Sequence, residues 1–142
     1  MISKTELFLI SIIAVLLIYI IYNKIYEYYN SKDEKLLEIK EIICKVFPEF
    51  KNIKTYKSKT TSFTINKNKI YMCLKNEKNE YYDNNTLIYV LLHEYSHTLC
   101  PNIGHTDEFH KIFDDVLILA KKGGIYDSSS PITENYCEHI KE

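Results

Sequence analysis

Residues 93–113 read HEYSHTLCPNIGHTDEFHKIF, and four of the chain's five histidines fall inside that stretch. His93 and His97 stand four residues apart. If the segment is helical, both imidazoles lie on one face, their Cβ atoms about 6 Å apart, close enough to share one tetrahedral metal ion. The surrounding pattern predicts the helix. Leu87, Val90, Leu91, Tyr95 and Leu99 recur at helical spacing, with Asn84, Asn85 or Thr86 as candidate caps. Pro101-Asn102-Ile103-Gly104 then breaks the pattern. A second helix is predicted from Asp107 to Lys122: Thr106 caps it, Asp107 and Glu108 suit its positive end, Lys121 and Lys122 its negative end, and Gly123-Gly124 stop it.

Within this frame the residue types point to hydrolytic metal chemistry. H-E-x-x-H supplies two imidazole ligands, His93 and His97. Glu94 lies beside the metal without binding it, placed to take a proton from a metal-activated water. A catalytic Zn²⁺ wants a third protein ligand and one open position. His105 is the expected third ligand, because it follows the turn and precedes the second helix, which would hold it through Phe109. His110 lies inside that helix, and Glu108 suits a first-turn carboxylate better than a ligand. His139 is expected to be exposed. Tyr95, Tyr136 and His110 stay open as candidate donors to an oxyanion.

Outward from the motif the chain divides in two. Leu7–Tyr22 reads LFLISIIAVLLIYIIY, sixteen residues with only Ser11 polar. With snorkelling by Lys24 it is read as an uncleaved transmembrane helix over about residues 7–26. Tyr19, Tyr22, Tyr26, Tyr28 and Tyr29 suit a membrane interface. No small-x-small site follows, so a cleaved signal peptide is disfavoured. Residues 1–30 are thus expected to be a membrane anchor and 31–142 a separate domain. Lys24, Lys32, Lys35 and Lys40 outnumber Lys4 across the span, which puts that domain on the cytoplasmic side of a single-pass protein.

In the domain, a helical stripe runs through Leu36, Leu37, Ile39, Ile42, Ile43, Val46 and Phe47, ending at Pro48. A short strand is expected near Ile53–Lys57, its lysines guarding a solvated edge. Ser62–Ile65 and Lys69–Leu74 read as a hairpin across Asn66-Lys67-Asn68. The tail from Ile125 onward is polar. Cys44, Cys73, Cys100 and Cys137 form no CxxC pair and read as four unconnected cysteines. In an oxidising compartment two disulfides would have three possible pairings; in the cytosol the thiols would be free.

The whole chain has 142 residues, is 46% apolar and 26% charged, and carries a net charge of −1. Disorder and strongly basic nucleic-acid binding are both disfavoured.

The run HEYSHTLCPNIGHTDEFHKIFDDVL resembles the active-site stretch of the WLM-type metallopeptidases, a minimal zincin group akin to the SprT, Spartan and YgjP-like proteins. Their pattern is H-E-x-x-H, a short loop, then H-x-x-x-F/W opening a helix. His93, Glu94 and His97 match its first part, and His105 with Phe109 its second. The seven residues between His97 and His105 exceed the usual WLM loop and fall short of many SprT loops. GIYDSSSPITENYC (Gly124–Cys137) resembles the end of small WLM-like proteins of large DNA viruses.

The resemblance is specific over 86–123, weak over 124–142 and only architectural over 33–85. It implies an α+β domain: a helix, a small antiparallel sheet, the motif helix and a C-terminal helix. It also implies Zn²⁺ held by His93, His97 and His105, Glu94 as general base, and a protein or peptide substrate lying along a sheet edge. Two other functions stay in view. One is a non-catalytic, zinc-stabilised, membrane-tethered interaction module, for which Cys100 or His110 would fill the fourth metal position. The other is a DNA–protein-crosslink repair protease, which would bind DNA through Lys51, Lys54, Lys57 and Lys59.

Overall fold

The computed structural model describes residues 1–137, so the expectation for His139 lies outside the described residues. The order of elements is helix α1 (Lys4–Asn30), helix α2 (Glu34–Cys44), a 3-10 turn (Pro48–Asn52), strands β1 (Lys54–Ser58), β2 (Phe63–Ile65) and β3 (Lys69–Cys73), then helices α3 (Asn84–Leu99) and α4 (Asp107–Lys122). The architecture is α+β.

Helix α1 buries none of its residues within the protein. Its mean hydropathy reaches 2.4 over an 18-residue window, and it is long and apolar enough to cross a membrane. At about 1.5 Å per residue its 27 residues extend roughly 40 Å. Ser3 closes a capping box at its start, with the Glu6 side chain accepting from the Ser3 N–H at 2.7 Å.

The sheet corrects one expectation. It is mixed, not antiparallel, with strand order β1-β3-β2. The expected β2–β3 hairpin forms, pairing Phe63 with Tyr71 and Ile65 with Lys69. Asn66 and Lys67 make its turn at φ 50° and 54°. β1, however, pairs with the far side of β3 in parallel, Lys54 beside Lys69 and Ser58 beside Cys73. The reversal after β1 leaves a gap, and β3 fills it. This gives β3 the centre, where Ile70 and Met72 are fully buried. It also leaves the lysine-bearing β1 at an edge, as its charge pattern suggested.

One face of the sheet packs on α2 and α3 through Leu36, Ile39, Ile43, Ile70, Met72, Leu87 and Leu91, all inaccessible to solvent. At about 25 cal/mol per Å² of apolar surface removed from water, such residues supply most of the driving force for folding. On the other face Tyr56, Tyr71 and Phe63 form a row across all three strands, with ring centroids 5.0 and 4.8 Å apart. Glu27 of α1 reaches this face, accepting from Lys69 Nζ at 2.5 Å and the Tyr71 hydroxyl at 3.2 Å.

The tail is a structural part of the domain, more than its polar composition suggested. Cys137 is disulfide-bonded to Cys73 at the end of β3, Cα to Cα 6.4 Å. The reading of four unconnected cysteines is corrected for this pair, while Cys44 and Cys100 are free. Thr133 donates its N–H to Thr86 Oγ1 at 3.1 Å and its hydroxyl to Asp83 Oδ2 at 3.1 Å, fastening the tail to the start of α3. Asp83 is also the α3 cap, one residue before the candidates named from sequence; its side chain accepts from the Thr86 N–H at 2.9 Å.

Candidate metal centre

α3 and α4 pack against each other and bring the three predicted ligands together. Ring nitrogens of His93, His97 and His105 lie within 4.8 Å of one another. The closest pair, His93 Nε2 and His105 Nε2, is 3.0 Å apart. Two devices place His105. Gly104 adopts φ +86°, a left-handed turn conformation that costs a glycine little. Thr106, immediately after His105, then caps α4 by accepting from the Phe109 N–H at 3.3 Å. Lys67 holds the start of the loop, donating to the carbonyls of Cys100 (2.7 Å) and Pro101 (2.5 Å).

Phe109 is the floor of the site. It is fully buried, stacks on His97 at 4.2 Å between centroids, and meets His93 and His105 edge-on at 5.0 and 4.9 Å. One side chain thus fixes the orientation of all three imidazoles. The pattern predicted that Phe109 would steady His105; its contact with the other two is a product of tertiary packing.

The electrostatics suit metal binding. Burial, followed by the neighbouring His97, His105 and His110, lowers the His93 pKa to about 4. Burial and His105 also lower that of His97. Both rings are therefore neutral near pH 7, the form that offers a lone pair to a metal. Three convergent imidazoles form a donor set that could hold a metal ion. Neither Cys100 nor His110 belongs to the group, and the His105 and His110 rings stand 6.3 Å apart.

Glu94 sits beside the cluster without joining it. It is only 6% exposed, and burial raises its pKa against the lowering effect of a hydrogen bond from Thr64. The Thr64 hydroxyl lies 2.7 Å from Glu94 Oε2 and 3.0 Å from the Glu94 carbonyl. Sequence reasoning missed Thr64. Its only sequence signal was its place on the inward-facing register of β2, opposite Ile70.

The three candidate oxyanion donors stand in different surroundings. Tyr95 is buried and packs edge-on against Phe47 and Phe50. The Tyr136 hydroxyl donates to the Cys73 carbonyl and is hydrogen-bonded to Ser62 Oγ at 2.9 Å. His110 is exposed on α4. The cluster opens into a cleft of about 670 Å³, walled by Ser62–Thr64, Asn66 and Lys67 on one side and Asn102–His105 on the other.

The chain is similar to several viral proteins. It is 48% identical over 79 residues to "Uncharacterized protein 136R" of Invertebrate iridescent virus 6, covering 54% of this chain and 44% of that protein. It is 43% identical over 89 residues to "Uncharacterized protein 042R" of Invertebrate iridescent virus 3, covering 62% and 55%. It is 37% identical over 93 residues to "Uncharacterized protein R325" of Acanthamoeba polyphaga mimivirus, covering 61% and 47%. The chain spans about half the length of these curated relatives. No protein-family profile matches it, and no solved structure does.

Proposed function

We propose that this chain is a membrane-anchored, zinc-dependent metallopeptidase. The observation that carries the reading is the convergence of His93, His97 and His105 in an open cleft with the buried Glu94 carboxylate beside them. A Zn²⁺ ion held by the three imidazoles would supply Lewis acidity to a scissile carbonyl and lower the pKa of a water. Glu94, raised in basicity by burial and aimed by Thr64, takes the proton and passes it to the leaving amine. β2 is an edge strand lining the cleft, so an extended peptide can pair with its open backbone.

The test uses the full chain in detergent. Zinc content is measured by metal analysis, and cleavage is followed on casein and peptide libraries, for wild type and Glu94→Gln. The expected result is one zinc per chain in both and cleavage only in wild type. Bound zinc with no cleavage by either protein would favour the non-catalytic module. The separation of Cys100 and His110 from the ligand group favours the enzyme over that module.

Two features bear on sidedness and oppose each other. The lysines after α1 favour a cytoplasmic domain. The Cys73–Cys137 disulfide favours an oxidising compartment. Alkylation in intact infected cells before lysis separates the two: labelled Cys73 and Cys137 put the domain on the reducing side, blocked ones on the oxidising side. The DNA-repair reading finds less support. The near-neutral charge weighs against it, and Lys57 of its proposed patch is paired with Asp33 at 3.4 Å.

A further inference from the structure

A second cleft, of about 320 Å³, opens where α1 meets the domain, away from the histidines. Three elements each contribute a lysine to its walls: Lys24 from α1, Lys40 from α2 and Lys54 from β1. The acidic residue on its rim, Glu27, is already engaged by Lys69 and Tyr71. Among the described residues the ion pairs are Lys35–Glu38, Lys57–Asp33 and Lys69–Glu27, so none of the three cleft lysines makes a direct ion pair, and only Lys24 feels the Glu27 charge at longer range. Lys40 is half-buried, and its ammonium donates to the Ile53 carbonyl at 2.5 Å. Burial lowers its pKa, as it does for a cation taken out of water.

Three lysines against one carboxylate, Glu27, which is itself bonded to Lys69, leave the concavity with an excess of positive charge that favours an anion. The position of the cleft says which anion is at hand. Lys24 lies two residues past Tyr22, the end of the apolar run, at the depth where a spanning helix leaves the hydrocarbon. Tyr28 and Tyr56 also line the cleft, and tyrosine suits the headgroup layer.

We propose that this cleft binds the phosphate-bearing headgroup of an anionic lipid through Lys24, Lys40 and Lys54. Such a lipid, together with the Glu27–Lys69 bond, fixes the height and tilt of the domain on the bilayer. The inference rests on α1 being a membrane helix and is independent of the metal centre.

The test reconstitutes the full chain in nanodiscs of phosphatidylcholine alone or with added phosphatidylglycerol, and native mass spectrometry reads the lipid retained on extraction. Wild type is expected to keep one phosphatidylglycerol in preference to phosphatidylcholine. Lys24 and Lys54 are exposed, so Lys24→Ala with Lys54→Ala leaves the fold intact while weakening retention about fivefold per lysine. Lys121→Ala with Lys122→Ala, at the far end of α4, is expected to change nothing. Equal retention of both lipids, or equal loss from both double variants, overturns the proposal. So does full displacement by inorganic phosphate in detergent with no preference in bilayers, which would make the ligand free phosphate. If the chain fails to enter nanodiscs at all, the membrane reading falls with it. Entry without lipid preference removes this inference alone.

Discussion

Helices α1 and α3 are both rich in leucine and isoleucine, yet they dispose of those side chains differently. α1 runs 27 residues and buries none of them against the protein; α3 runs 16 and buries eight. The difference lies in how polar groups are distributed. α1 is apolar on every face through its middle, a pattern suited to lipid. α3 carries Thr86, Glu94 and Ser96 inside the domain, each paired: Thr86 with Asp83, Glu94 with Thr64, Ser96 with the Leu92 carbonyl. Among the described residues no buried side-chain nitrogen or oxygen lacks a partner. An apolar helix can be completed by a bilayer, whereas a helix that buries a carboxylate needs a folded domain around it.

The sharpest way to break this contrast is to remove α1. Residues 31–142 are expected to lose all vesicle association yet keep a cooperative melt and full zinc binding, because the core draws nothing buried from α1. Flotation with liposomes and metal analysis check both halves; loss of zinc binding would show that the anchor is part of the fold.

The next largest effect is expected at Phe109. Phe109→Ala should cost about 3–5 kcal/mol by denaturant titration and weaken zinc binding as the three rings lose their floor. The matched change in α1, Leu16→Ala, should leave the domain's melt unmoved.

Opening the Cys73–Cys137 bond by Cys73→Ser with Cys137→Ser should cost about 2–4 kcal/mol, because the bond closes a long loop in the unfolded chain. An unchanged melt would mean that the hydrogen bonds of Thr133 alone hold the tail.

A pH effect follows from His93. In the metal-free protein its pKa is about 4, against about 6.5 in an unfolded chain. The unfolded state therefore binds more protons between those values, and stability should fall as pH drops from about 6.5 toward 4. Above about 6.5 this group adds no pH dependence. Thermal melts of metal-stripped protein across that range are the check, and a flat profile would place His93 in water.

Thr64→Val is expected to have the smallest effect on stability and none on zinc content. It should lower kcat about tenfold or more, in the range general-base catalysis contributes, with KM little changed. Thr64→Ser should restore most of the rate.

Much of this was legible in local sequence. The α4 boundaries, Asp107 to Lys122, and the Thr106 cap match the reading of Thr-Asp-Glu at one end and Lys-Lys-Gly-Gly at the other. The β2–β3 hairpin likewise followed from residues that tolerate a left-handed turn. The parallel pairing of β1 was not legible, because Lys54–Ser58 carries nothing local that says which strand it will neighbour. The Cys73–Cys137 bond, 64 residues apart in sequence, was equally hidden among the possible pairings.

The amino-acid sequence by itself determined the apolar helix, the three domain helices and the strands with period-driven patterns, and the spacing that puts His93 and His97 on one face. These depend on neighbours within a few residues, where backbone geometry leaves few choices. Only tertiary structure decided that β3 takes the centre of the sheet, that Phe109 underlies three imidazoles, that Thr64 holds Glu94, and that three lysines from separate elements face one cleft. Each joins groups far apart along the chain, and such contacts form only when burial of the shared core makes the loop closures between them favourable.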